Sequence, residues 1–286
     1  MRILLTLFFL TVGLLSYADK KPGSGISYAM ASTAFLDSRR KAYLNAVAAL
    51  QADGQYIVND TERAIKMGKK NIRVAQSYVC SEINMTANSS SYVLNVIDQQ
   101  YNVGNNNLLP SERRIKQQDV FFTYALGFYI RQTNGWQGLS YILQTFPTAA
   151  TNGPAPSFYP DASTLMGIWT DGTLQVTVNG DVLTPAWDLS QHLCINQSQE
   201  NPGGVPVTPF YDQVNLGEDG QVITEPNWII NGGNNNIYQI TYPNNYGNIF
   251  GGVNAGSTSI TTSIVMKWYG FLAQNASSIM NNAPAK

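Results

Sequence analysis

One histidine, His192, and two cysteines, Cys80 and Cys194, are all that the 286 residues offer as imidazole or thiolate ligands. They cannot build a histidine-based metal cluster, and the His-x-Cys pair at 192–194 has no further ligand of that kind beside it. Two cysteines so far apart fix no disulfide framework, so a pair formed in an oxidising compartment and two buried thiols both stand open. Charge is scarce as well: Lys, Arg, Asp and Glu make up 12% of the chain, and the net charge is −1. Without widely clustered cations to neutralise phosphates, nucleic acid is set aside as the main partner. No Gly-x-Ser-x-Gly elbow occurs, and Gly232-Gly233 and Gly251-Gly252 lack the spacing of a phosphate loop. No cofactor is expected.

Long apolar runs are missing too, except at the start. MRILLTLFFLTVGLLSYA carries one early Arg, an apolar run shorter than a spanning helix needs, and a small-residue ending at Ala18. Residues 1–18 therefore read as a signal peptide, with a membrane-inserted arm as the alternative. Five Asn-x-Ser/Thr triplets, at Asn59, Asn84, Asn88, Asn196 and Asn275, are about what chance gives in a chain with 28 Asn and carry no argument for glycosylation.

What the chain does have is Asn, Gln, Ser, Thr, Gly and Tyr, a polar but mostly uncharged surface stock. Organisation changes near Pro110. Before it, Phe35, Tyr43, Val47 and Leu50 recur near helical spacing in Ser32–Asp53, and a second helix is expected after the caps Asn59 and Asp60, over TERAIKMGKKNIRVAQSYVC. The cations from Lys66 to Arg73 read there as a solvated face. After Pro110 the pattern is that of strands. Asp119–Gln132 is too continuously apolar to be one-sided and predicts a buried strand; Trp136–Phe146, Val222–Ile230, Asn236–Tyr242 and Ser259–Leu272 are further candidates, separated by loops rich in Pro and Gly. The expected architecture is mainly β: a jelly-roll-like β-sandwich over residues 111–286, preceded by a helical N-terminal region over 19–110.

The stretch TLQVTVNGDVLTPAWDLSQH, Thr173–His192, predicts a hairpin. Leu174, Val176 and Val178 alternate with polar residues, and Asn179-Gly180 suits a type I′ turn. Pairing should stop or bulge at Pro185, with Trp187 and Leu189 re-entering the core and Asp188 facing a turn. His192 is expected at the surface or core edge. Asp119, Asp161, Asp171, Asp181 and Asp188 lie in or beside turns and read as turn residues, a glycosidase pair among them being the enzymatic alternative. Tyr159, Tyr238, Tyr242 and Tyr246 border polar loops and offer either packing or a sugar-binding or subunit-contact surface.

Three segments, SERRIKQQDVFFTYALGFYI, SFYPD and IWTDGTLQVTVNGDVLTPAWDLSQHLCINQSQ, resemble coat proteins of tailless bacteriophages infecting the Bacteroidota. The likeness is carried by Glu112, Arg113, Gln118, Asp119 and Phe121, by Tyr159-Pro160, by the hairpin residues Gly172, Leu174, Val176 and Val178, and by the Pro185, Trp187, Asp188, Leu189, Ser190 and His192 corner with Gln199. It implies a non-enzymatic jelly-roll shell subunit, placed in a virion, whose partners are copies of itself. A secreted or cell-surface adhesin or filament subunit is the second expectation, and a secreted carbohydrate-active sandwich the third; a surface glycan or receptor, and a membrane met through residues 1–18, complete the expected partners. Replacing Asn179-Gly180 by Val-Val is expected to impair folding or assembly, read as lost soluble yield or a lowered melting temperature, while His192→Ala is expected to leave both nearly intact.

Overall fold

The computed structural model describes residues 25–86, 88–98, 113–134, 162–193, 220–246, 253–255 and 258–282. Residues 1–18, the Trp136–Phe146 candidate strand, Tyr159, Asp161, Cys194 and Asn196 lie outside them. By contact, the chain divides into Met1–Lys41 and Ala42–Lys286. The described part of the first unit is helical, the beginning of α1 (Gly25–Gln51). In the second unit α1 continues with Ala42, Ala46 and Leu50 fully buried at successive fourth positions, one narrow stripe.

The second unit is built around two long strands, β7 (Val120–Asn134) and β14 (Thr258–Ala273), paired antiparallel along nearly their whole length. On its free side β14 pairs β3 (Val74–Asn84) and, further along, β13 (Val253–Ala255); on its own free side β7 pairs β10 (Gln221–Ile223) and β11 (Ile229–Asn231) end to end. A second antiparallel sheet has the order β4 (Ser91–Leu94), β12 (Asn236–Thr241), β8 (Thr173–Val178), β9 (Asp181–Asp188). In chain order the strands pass back and forth between the sheets: β3, then β4, then β7, then β8 and β9, then β10 and β11, then β12, then β14. Two interleaved four-wide antiparallel sheets with this order form a jelly-roll-like sandwich. The mainly β, sandwich-like class expected from strand patterning is the one observed.

Helical character before Pro110 covers less than expected. Asp60 does cap α2 (Thr61–Lys66), its Oδ1 accepting the Arg63 amide at 2.9 Å, but the helix is over by Met67. The chain then forms β2 (Lys70–Ile72), parallel to β1 (Tyr56–Val58), and runs straight into β3. Asn59, at positive φ, fixes this junction: its side chain accepts the Val74 amide at 2.8 Å and donates to the Val74 carbonyl at 2.9 Å. Sandwich strands thus begin at Val74, well before Pro110. Short parallel strands β5 (Ile97–Asp98) and β6 (Ile115–Lys116) flank the connection to β7. A helix not anticipated from the sequence, α3 (Ala162–Thr170), precedes β8 and buries Ile168 and Trp169; α4 (Ser277–Asn282) follows β14.

Register sorts the side chains. On the inner face Val79, Trp268 and Leu126 lie level, as do Ile83, Ile264 and Ile130; they meet Tyr92, Leu94, Leu174, Val176, Tyr238 and Ile240 of the second sheet in one core. Trp268 and Tyr238 touch edge to face across it, ring centroids 5.1 Å apart. Part of the outer face of the first sheet is also buried: Cys80, Tyr129 and Val265 cluster there, and Arg131 pairs with Glu82 with both side chains nearly inaccessible, whereas Gln76 and Tyr78 of β3 are exposed on it. Breaking a buried ion pair leaves an uncompensated charge, so this one opposes any other alignment of β3, β14 and β7. Near the start of β7 the same face carries Phe271, with Tyr43 of α1 at 5.3 Å between centroids and Tyr124 at 6.1 Å.

A register shift falls between Tyr269 and Gly270, where Tyr124 becomes the extra residue on β7. A Cβ at Gly270 would meet the carbonyl oxygen of Phe122 and the ring of Phe121. Gly270→Ala is therefore expected to destabilise the fold by about 2–3 kcal/mol, measured as a lowered urea midpoint at unchanged slope.

Candidate functional site

The hairpin that holds the sole histidine forms as expected up to its turn, with Asn179 at φ 52° and Gly180 at φ 92°. Leu174 and Val176 face the core; Val178 is half-buried. Pairing does not end at Pro185. It continues to Thr173 opposite Asp188 through two irregularities, one of them spanning Pro185. Asp188 then caps a short 3₁₀ turn, Leu189–His192, by accepting the Ser190 amide at 2.8 Å, while Leu189 is buried and Trp187 packs against the core.

His192 is not at the surface; it is fully buried. Its Nε2 accepts the indole N–H of Trp187 at 3.0 Å, and its Nδ1 lies 2.9 Å from the Gly220 carbonyl. An indole nitrogen only donates and a carbonyl only accepts, so the ring is neutral and protonated on Nδ1. Phe128 packs beside it at 6.3 Å, and Trp187 stands edge to face with Trp228 at 5.2 Å. Burial depresses the imidazole pKa to about 4, against the opposing pull of the Gly220 bond and the Asp188 charge. With both nitrogens engaged and no proton to give near neutrality, His192 ties the end of β9 to the approach to β10 and to β7. Sequence spacing brought Trp187, Asp188 and His192 together, but Gly220, Trp228 and Phe128 had no local signal; only the sheet order assembles them.

The carboxylates are dispersed. Asp171 accepts from Thr170 Oγ1 at 2.9 Å and from the Tyr246 hydroxyl. Asp119, buried, accepts the Asn275 amide at 3.0 Å. Asp171 and Asp188 precede β8 and end β9 at one end of the sandwich, whereas Asp119 and Asp181 flank strand ends at the other. Among the described aspartates each has the turn or capping role read for it, except Asp181, which starts β9 exposed. Tyr238, Tyr242 and Tyr246 are buried rather than displayed: Tyr242 contacts Tyr92 at 6.1 Å and Tyr246 at 5.4 Å, and burial raises the pKa values of Tyr238 and Tyr242. They are core tyrosines, not a contact surface. Cys80 is buried as well. Among the described residues no three of His, Cys, Asp and Glu converge as metal ligands. A cleft of about 520 Å³, lined by Lys116, Gln117, Gln118, Asn275, Ser277 and Ser278, opens at the Asp119 end; it presents amides, hydroxyls and one ammonium, with no carboxylate or imidazole.

The outward face of the second sheet has a different character. Ser91, Val93, Thr173, Gln175, Thr177, Ile237, Gln239, Thr241 and Val182 lie on it by register, with Gln239 donating to Ser91 Oγ at 2.7 Å and Val93 and Val182 exposed. It is a pleated surface of hydroxyls and amides interspersed with β-branched apolar side chains, with hardly any charge. No protein-family model matches the chain, and no curated protein matches it.

Because His192 is buried with both nitrogens bonded, His192→Ala is expected to cost about 3 kcal/mol, the reverse of the sequence expectation. The depressed pKa also gives a signed pH dependence. Above about pH 6.5 the ring is neutral folded and unfolded; as pH falls toward 4 the unfolded chain takes up the proton first, and about 3 kcal/mol of stability is lost before the native ring titrates. Urea unfolding of the parent and His192→Gln between pH 4 and 7 checks this: the parent curve should fall more steeply, and parallel curves would show that the ring is not sealed.

Proposed function

We propose that this chain is a structural subunit that assembles with copies of itself into a shell, as a viral coat protein does. The observation that carries the reading is the strand order: β3-β14-β7-β10/β11 facing β4-β12-β8-β9, a jelly roll of the kind used in capsids among other roles. Fold alone does not assign a role. The surfaces supply the second support. The β7–β14 ladder of one sheet is largely buried on both faces and would serve as a wall; the other sheet turns a nearly uncharged face of Ser, Thr, Gln and β-branched apolar side chains outward. Such a face meets another protein surface without the desolvation cost of ions, and its hydroxyls and amides can hydrogen-bond across the contact.

Electron microscopy of the purified full chain, with light scattering to give its mass in solution, tests the proposal. Closed particles of uniform diameter are expected. Fibres would instead support the filament reading, and a monomer that persists at high concentration would overturn self-assembly.

A further inference from the structure

The cations from Lys66 to Arg73 read from the sequence as a solvated face, and the structure adds Arg63 to them and gives that face a second component. Arg63, Lys66, Lys69, Lys70 and Arg73 are five of the seventeen basic residues of the chain, gathered on α2 and β2. All but Lys69 are exposed. None makes an ion pair among the described residues. Set among them are two large apolar side chains turned to solvent: Ile65, at 74% the most exposed large hydrophobic described, and Met67 at 51%. The module is anchored from below rather than through these groups. Ala64 and Ile72 are buried, and Asn59 clamps the junction to β3.

We infer that this knob is a docking surface for an anionic lipid bilayer. Cations alone would fit any polyanion, but two exposed apolar side chains between them are complementary to a lipid interface, where the hydrocarbon enters the headgroup layer while the ammonium groups stay with the phosphates. A nucleic-acid backbone gives Ile65 and Met67 nothing to bury against. It would also call for a free ring to stack bases, and the rings beside the module are engaged: Tyr56 is half-buried under the Lys70 ammonium at 6.0 Å, and Tyr43 packs on Phe271 with its hydroxyl accepting from Asn59 at 3.3 Å. The module projects from the Asn179-Gly180 end of the sandwich, since β2 leads directly into the start of β3.

Flotation of the full chain with vesicles tests this, comparing phosphatidylcholine alone with phosphatidylcholine containing phosphatidylserine. Two variants accompany the parent, Lys66→Glu/Lys69→Glu/Lys70→Glu and Ile65→Ser/Met67→Ser, each checked for an unchanged melting curve. The parent should float with the anionic vesicles and not with the neutral ones. The charge variant should lose about a hundredfold in affinity, the apolar variant should bind measurably less than the parent, and added salt should weaken the parent. Equal binding to both vesicle types would mean that another segment carries the attachment, and no binding, or an apolar variant equal to the parent, would overturn the inference. So would tight binding of a DNA or RNA oligonucleotide that the charge variant loses and the apolar variant keeps, which would make the knob a phosphate-backbone site.

Discussion

The antiparallel pairing of β7 with β14 is the constraint on which the rest of the molecule depends. It runs over fourteen residue pairs, from Ile260 opposite Asn134 to Ala273 opposite Val120, and every other strand of its sheet hydrogen-bonds to one of the two. Because side chains alternate with period two, a slip of one residue would turn Tyr129, Arg131 and Lys267 into the core and Phe128, Ile130 and Trp268 out of it. The Glu82–Arg131 pair and the aromatic group around Phe271 hold the outer face to the same alignment from the other side. The bulge at Gly270 lets the ladder resume beyond it with Phe121 and Leu272 inward. A single wrong alignment therefore costs core packing and leaves buried charge unpaired together.

Features whose causes are local were legible in the sequence. β7 showed itself through an apolar run too dense to be one-sided, and the β8–β9 hairpin through alternation and Asn-Gly. Asp60 was legible as a cap. The error came just after it. Residues following Gly68 were read as continued helix because Ile72 and Val74 keep an approximate helical spacing, yet they become strands since β14 offers eleven partners to β3, which no window around Val74 contains. Helix α3 was hidden in a stretch whose neighbouring prolines suggested loop. For Tyr238 and Tyr242 the sequence left packing and a contact surface both open: Tyr238 on β12 and Tyr242 just beyond it alternate with Gln239 and Thr241, and only sheet pairing decides which set faces in. His192 is the clearest case. Its partners are a ring five residues earlier and a carbonyl 28 residues later, and the second cannot be found by spacing.

The sandwich divides its labour between two sheets and two ends. One sheet buries its central β7–β14 ladder on nearly all of both faces and so contributes rigidity. The other keeps a wet, nearly neutral face whose Ser, Thr and Gln side chains are level with one another across three strands. Neutrality at such a face matters when many copies must lie side by side, because even a small like-charge repulsion is multiplied by the number of contacts. Five of the seventeen Lys and Arg lie instead between Arg63 and Arg73, in the segment that leads into β3 of the other sheet.

The enclosure of His192 reaches beyond the corner it closes. With the only imidazole of the chain held neutral by burial, the folded protein takes up no proton at this residue until the pH nears 4. The net charge of −1, which counts His192 as uncharged, therefore treats this residue correctly throughout the near-neutral range. Mild acid thus reaches His192 through the unfolded chain, lowering the stability of the fold before it adds any charge to the folded molecule.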